Sequence, residues 1–455
     1  MFSLFKTTRL LPTLARPTNN LARAFSISSA RMGLTQDQIN IVKSTAPVLK
    51  VHGETITTLF YKDMIDTHPE LKNIFSLRNQ ASGEQPRALA QSVLAYATYI
   101  DDLPKLKAAV ERIAHKHASL YIRPEHYDIV GHHLMKAIGE VLGDALTPEI
   151  AEAWTLAYGQ LAQVFIGREK EMYQEAGTWT NWRKFKIIRR IDESDSVTSF
   201  YLAPSDGKLP LPKYLPGQYI SVQVPVPQLG GITQPRQYSL SDAATQGEYY
   251  RISVKREATV VDAPEDDLKK GLVPGLISNL LHDGYQVGDE IDVSHPQGDF
   301  FLDAKESEKA DVPLVLLSAG VGATPLMSIL NTVLSPESKT PNRPIKWVHA
   351  ARNSSNLVFA KHIRNLTRER ENVSAHIFLN EVKPGDEKGQ EYDYEQHLDL
   401  KQLPEEELGL ADKRTEYYVC GPRDWMLKVR LVLEGLGVER ERVKLELFAT
   451  GDVEQ

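Results

Sequence analysis

The apolar residues of this chain change their period twice, and that constrains the architecture more than any other feature. Between residues 35 and 174 they recur every three or four positions, as in helices with one buried stripe. From about residue 183 they alternate with polar residues, as in Ile220, Val222 and Val224 or Ile252 and Val254, which is the period of half-buried strands. At Pro313 an unbroken run begins, Leu-Val-Leu-Leu-Ser-Ala, and it ends in a glycine turn. A parallel strand covered by helices on both faces reads this way. One core cannot serve all of these periods, and 455 residues accommodate about three domains. The pattern therefore predicts a multidomain chain. An all-α unit spans 33–174, an antiparallel β-barrel spans 178–305, and an α/β doubly wound unit spans 311–455, with linkers over 178–182 and 303–311.

Charge and composition exclude several classes. The net charge of −7, with no basic stripe after the N-terminus, argues against a nucleic-acid partner. A single cysteine, Cys420, excludes a disulfide framework and a cysteine-rich metal site. No apolar run reaches the roughly 18–20 residues of a membrane helix, and a monomer is expected. Residues 1–32 stand apart. They hold Lys6, Arg9, Arg16, Arg23 and Arg31, many hydroxyl residues and no acid, the composition of a mitochondrial transit peptide. Initiation at Met32 would give a cytosolic form.

The helical region carries polar residues on its apolar stripes. Leu106, Val110, Ile113 and Leu120 form one stripe, and His117 falls within it. Tyr127 opens the stripe of Val130, Leu134, Ala137 and Val141. Glu169 extends that of Ile150, Trp154, Ala157, Leu161 and Phe165 by one turn. Each alone reads as a satisfied core residue; together they suggest a hydrogen-bonded group around one imidazole. Prolines 69, 104, 124 and 148 suit the first turns of helices, and Pro86 marks another helix start.

Ile113-Ala-His-Lys-His117-Ala-Ser, Ile122-Arg-Pro-Glu-His-Tyr127-Asp-Ile-Val-Gly131 and Phe165-Ile-Gly-Arg-Glu169 resemble the globin domain of the flavohaemoglobin family. So do Leu59-Phe-Tyr61, Leu71-Lys-Asn-Ile-Phe75 and Gln85-Pro-Arg-Ala-Leu89. The resemblance extends over the whole chain after the presequence. It implies His117 as the proximal ligand of haem b iron, with Tyr127 and Glu169 orienting its ring. It implies a distal pocket of Tyr61, Gln85 and Leu89, Phe75 packed on the haem, and Lys116 as a further cofactor contact. A phenol at Tyr61 could donate to bound dioxygen, which carries negative charge.

In the second region Tyr214-Leu-Pro-Gly-Gln-Tyr219, Arg236-Gln237-Tyr238-Ser239 and Gly275-Leu-Ile-Ser278 resemble the FAD site of the ferredoxin-reductase superfamily. Arg236 can fork onto a diphosphate, Tyr238 can stack on a flavin, and Ser239 can bond near its reactive nitrogen. Gly275 and Ser278 would open a helix towards phosphate. The acidic stretch over 262–267 reads as a solvated insertion. In the third region Gly320-Val321-Gly322-Ala323-Thr324-Pro325 follows the buried run, a strand–turn–helix suited to the pyrophosphate of NADH or NADPH. Cys420-Gly421-Pro resembles a loop facing nicotinamide; Cys420 reads equally as a buried strand-end thiol. Arg352, after the next strand, is a candidate for the 2′-phosphate of NADPH or a solvated arginine. Phe448-Ala449-Thr450 stands where the family has Phe-Gly-Pro, with Glu446 before it, near the gap between flavin and haem.

The resemblance implies a nitric oxide dioxygenase. Hydride passes from NAD(P)H to FAD, single electrons pass to haem, and NO and O2 combine to nitrate. Two other readings are an oxygen sensor or store, against which the reductase motifs argue, and a general flavin reductase.

Overall fold

A computed structural model of the chain describes residues 33–245, 247–258, 275–302 and 309–447. The presequence, the acidic stretch over 262–267 and Phe448, Ala449 and Thr450 lie outside the described residues.

The first domain is built from seven helices among the described residues: α1 (Gln36–Ser44), α2 (Ala46–Thr67), α3 (Leu77–Ala81), α4 (Glu84–Tyr99), α5 (Lys107–Ser119), α6 (Pro124–Leu142) and α7 (Pro148–Glu175). Their starts follow local chemistry. Thr35 and Gln38 form a capping box at α1, while Pro124 and Pro148 occupy first helical positions, where no N–H partner is lost. Pro86 sits in the first turn of α4 for the same reason. The helix expected from about residue 103 starts instead as a 3-10 turn, Leu103–Leu106, and becomes α-helical at Lys107. Helices α2 and α4 approach closely at Gly53, where an added Cβ would lie 3.3 Å from that of Ala90. The Thr57 hydroxyl donates to the Pro86 carbonyl at 2.7 Å across the same crossing.

The second domain comprises β1 (Arg183–Ser194), β2 (Val197–Pro204), β3 (Tyr219–Pro225), β4 (Thr233–Ser239), β5 (Tyr250–Lys255), α8 (Leu276–Gly284) and β6 (Glu290–Val293). Its strands pair antiparallel in the order β4-β3-β6-β1-β2-β5. A bridge from Leu240 to Ile252 joins the two ends, which curls the sheet into a barrel. Ile220, Val222 and Val224 fill its interior, as their alternation predicts. The segment over 178–182 is more than a linker. Trp179 is buried in the barrel core, stacked on Phe185 with ring centroids 5.5 Å apart. An indole gains more from that burial than from spanning solvent.

The third domain holds β7 (Leu314–Ala319), α9 (Ala323–Val333), β8 (Ile345–Ala351), α10 (Ala360–Glu369), β9 (Val373–Leu379), β10 (Tyr394–Glu395), β11 (Glu416–Cys420), α11 (Arg423–Gly435) and β12 (Val443–Glu446). The sheet is parallel, in the order β10-β9-β8-β7-β11-β12. The order reverses between β7 and β11, and the crevice at such a switch point is where doubly wound sheets bind ligands. Both faces of β7 are covered: Leu314 and Leu316 belong to one core, Val315 and Leu317 to another. No described helix is long and apolar enough to cross a membrane.

The crevice depends on one close approach. A Cβ on Gly322 would sit 2.2 Å from the Cys420 carbonyl oxygen, so only glycine lets α9 start against the end of β11. Gly322→Ala is expected to destabilise this domain by about 1–3 kcal/mol, the usual cost of overpacking. Denaturant unfolding of the full chain checks this; an unchanged midpoint would refute the close approach.

Candidate functional site

Three of the polar residues on the helical stripes meet. His117 Nδ1 lies 2.8 Å from Glu169 Oε1 and 2.9 Å from the Tyr127 hydroxyl, and Tyr127 donates to the same carboxylate oxygen. Glu169 is only 2% exposed. A buried carboxylate needs donors, and the two rings supply them. Burial raises the Tyr127 phenol's pKa, and the charge of Glu169 raises it further, so the phenol keeps its proton. An acceptor at Nδ1 fixes the proton there and leaves the Nε2 lone pair available. No hydrogen bond from a described residue reaches Nε2, although 32% of the side chain is accessible. A histidine in this state is a metal donor with its supporting carboxylate in place.

Tyr61 and Gln85 are brought together from α2 and α4. Burial pushes the Tyr61 pKa up, opposed by its hydrogen bond with Gln85, so the phenol is a neutral donor at ordinary pH. The Phe75 ring stands edge-on to Tyr61, with centroids 5.5 Å apart. Leu89 lies one turn beyond Gln85 on α4 and packs in the same apolar cluster. That cluster and the one around Tyr127 and Phe165 share Ile74, Tyr158 and Leu161, so the two groups face a common interior.

On the barrel, Arg236, Gln237, Tyr238 and Ser239 follow one another along β4. Burial lowers the Arg236 pKa; Tyr238 opposes this and Arg78 adds to it. Its guanidinium donates to the Pro235 carbonyl at 2.7 Å and pairs with no described carboxylate. A desolvated cation without an anion suits a diphosphate. Burial pushes the Tyr238 phenol up to about 12. Ser239 is buried opposite Tyr219. Gly275, at φ +75°, precedes α8, and a Cβ there would meet the Glu257 carbonyl at 2.6 Å. The first N–H groups of α8 have no partner within the helix, as an anion site requires.

Two candidates on this domain, Ser278 and Tyr214, also make hydrogen bonds within the fold. The Ser278 hydroxyl donates to the Gly275 carbonyl and accepts from the Glu257 N–H, both at 3.1 Å, which closes the turn. Tyr214 is buried in the barrel core, with its hydroxyl donating to the Asp242 carbonyl at 2.7 Å.

In the third domain Gly320, at φ +54°, turns the chain out of β7. Thr324 donates to the Val321 carbonyl at 2.9 Å, and Ala323 and Pro325 complete the first turn of α9. Cys420 ends β11 beside Ser318 and Glu446, fully buried, and burial raises its thiol well above the usual range. Gly421 follows in close contact with Ala319 and Trp425. Arg352 is exposed just past β8.

Glu446 is where the three domains meet. Burial raises its carboxyl to about 8, and Asp299 adds to the shift, against Arg112 and Lys116 of α5. Tyr219 belongs to the same group: burial raises its phenol's pKa, Glu446 and Asp299 raise it further, and Ser119 bonds it. Sequence reasoning missed Arg112 and Asp299 and did not single out Tyr219. Their signal was faint: Tyr219, Ser221 and Gln223 give β3 a polar face with no charge on it.

A globin family model matches residues 58–165, and a model of the oxidoreductase NAD-binding domain matches residues 316–430. The flavohemoprotein of Bordetella pertussis is 48% identical over 417 residues, which cover 91% of this chain and 98% of the relative. That of Rhizobium meliloti is 45% identical over 420 residues, again 91% and 98% of the two chains. The crystal structure of a flavohemoglobin from Malassezia yamatoensis, with bound FAD and heme, superimposes with a TM-score of 0.77 at 27% identity. It covers 92% of this chain and 100% of that one. With the helical, barrel and doubly wound domains in this order, the chain belongs to the flavohemoprotein family.

Proposed function

We propose that the chain is a nitric oxide dioxygenase, which combines NO and O2 to nitrate with electrons from NAD(P)H and so relieves nitrosative stress. The observation that carries the reading is the His117–Glu169–Tyr127 group, with Nε2 left to bind a metal. The Malassezia relative holds FAD and heme, and this chain has a fitting donor for each: the Nε2 of His117 for the iron and, for the diphosphate, the guanidinium of Arg236, which pairs with no described carboxylate. When bound, NAD(P)H supplies hydride, FAD divides it into single electrons, and haem iron activates dioxygen.

The residues do the rest. Glu169 holds the imidazole orientation and strengthens His117 as an electron donor, which favours oxygen chemistry over storage. Tyr61 keeps its proton on the phenol and can donate it as a hydrogen bond to a negatively charged ligand. The Phe75 ring packs edge-on against it, and Leu89 belongs to the same apolar cluster. The turn from Gly320 to Gly322 and the first turn of α9 receive the nucleotide. Stopped-flow mixing of NO with the oxygenated, reduced protein tests the reaction. Stoichiometric nitrate and rapid return to ferric haem are expected; slow ligand exchange without nitrate would point to a sensor or store. Residues 1–32 are read, on composition, as directing mitochondrial import. A reporter carrying them is expected in mitochondria, and a diffuse cytosolic signal would refute the import reading.

His117→Ala should abolish haem uptake and leave FAD stoichiometric. A normal haem spectrum in that variant would remove His117 as the ligand. Tyr61→Phe keeps the ring and removes one hydrogen bond to a charged group, worth about 1.5–3 kcal/mol. At about 1.4 kcal/mol per factor of ten, dioxygen should leave roughly ten- to a hundredfold faster. Flavin reduction by NAD(P)H, measured in the same preparation, should not change. An unaltered off-rate would make Gln85 the better donor.

A further inference from the structure

The loop that carries Phe75 is held by the strand that carries Arg236. Phe75 follows a 3-10 turn, Pro69–Asn73, and precedes α3. Gln234 of β4, 2% exposed, reaches into this loop with its carboxamide. Its Nε2 donates to the carbonyls of Lys72 at 2.5 Å and Phe75 at 3.3 Å, and its Oε1 accepts from the Leu77 N–H at 3.2 Å. Its neighbour Thr233 donates through both N–H and hydroxyl to Asn73 Oδ1, at 2.8 and 3.0 Å. Gln223 of β3 donates to the Asn73 carbonyl at 3.3 Å and to the Thr233 hydroxyl at 2.6 Å.

These bonds span a seam that apolar packing does not close. A cavity of about 330 Å³ lies alongside, lined in part by Asn73, Ile74, Gln223 and Pro235. The position of the loop therefore depends on the amide contacts. A short strand moves as a unit, and Gln234 lies two residues before Arg236, on the same side of β4. A ligand that draws Arg236 and stiffens β4 acts on Gln234, hence on Phe75 and, through the edge-on ring contact, on Tyr61.

We propose that Gln234 is a positioning residue that couples occupancy of the flavin site to the distal pocket of the helical domain. The inference rests on the functional reading above, which assigns haem and FAD to their domains. By linkage, FAD tightens dioxygen and dioxygen tightens FAD by the same factor, read here as slower release of dioxygen. The Gln234 carboxamide carries the effect because, among the described side chains, it holds the backbone on both sides of Phe75, at Lys72 and at Leu77.

The test uses the full chain, haem-loaded and chemically reduced, with FAD and after FAD removal. Dioxygen release and amide exchange of residues 72–77 are followed in the natural sequence, in Gln234→Leu and in Gln234→Glu. Leucine keeps the approximate bulk; glutamate keeps the size and the acceptor but turns an oxygen towards the two carbonyls. In the natural sequence FAD should slow dioxygen release by about fivefold or more, the lower range of coupling between sites, and slow exchange at Phe75 and Leu77. Both variants should bind FAD stoichiometrically and lose both responses. A variant that keeps them, or a natural sequence without them, overturns the coupling. A chain that takes up neither haem nor FAD overturns the functional reading and the coupling with it.

Discussion

The hydrogen bond between His117 Nδ1 and Glu169 is the contact from which the helical domain's chemistry follows. A carboxylate this deeply buried is costly unless donors surround it. His117 and Tyr127 are those donors, one from α5 and one from α6, with Glu169 on α7. The group thus joins three helices and orients one ring. Removing Glu169 would leave the imidazole with Tyr127, a donor as well as an acceptor, as its partner at Nδ1; removing His117 would leave a buried charge short of a donor. Stability and the free Nε2 rest on the same atoms, so neither can be varied alone.

The first and second domains close separate cores, whereas Val197, Phe300 and Leu302 of the second pack into the core of the third; much of the contact between the first and second is polar. Ser221 of β3 donates to Ser119 of α5 at 3.0 Å, and the Asn73 and Gln234 contacts lie further along the same strand pair. An apolar seam would fuse the domains into one body. A polar one fixes direction at small net energy, since each such bond contributes about 0.5–1.5 kcal/mol after exchange with water. Strands β3 and β4 therefore serve two neighbours: Ile220, Val222 and Val224 of β3 fill the barrel, while Ser221 and Gln223 of β3 and Thr233 and Gln234 of β4 reach the helices.

Much of this order is legible in the sequence because periodicity reports burial. The stripes through His117, Tyr127 and Glu169 place them inward, and the run from Leu314 to Ala319 has the unbroken apolarity of a strand covered on both faces. What is not legible has no period. Gln234 meets Phe75 across 159 residues, and nothing local distinguishes a glutamine that clamps a loop from one that meets water. The sequence motifs around Ser278 and Tyr214 do not show that their hydroxyls also close a turn and brace a loop, because the backbone acceptors a buried hydroxyl meets are set by the fold. Trp179 reads as linker because its partners, Phe185 and Tyr250, come later in the chain.

Glu446 shows why the domain junction is a chemical site and not only a mechanical one. It ends β12 in the third domain and is buried, and burial, with Asp299, raises its carboxyl to about 8 against Arg112 and Lys116. A group with that value is mostly protonated at neutral pH and can lose its proton when positive charge gathers nearby. Lys116 precedes His117, and Tyr219 stands opposite Ser239 on the barrel. One carboxyl of the third domain thus senses charge in the other two. Its protonation depends on their being assembled, since Asp299 comes from the second domain and both cations from the first. Separating the domains would return Glu446 towards an ordinary carboxylate, so its raised pKa is a property of the junction and not of the strand that carries it.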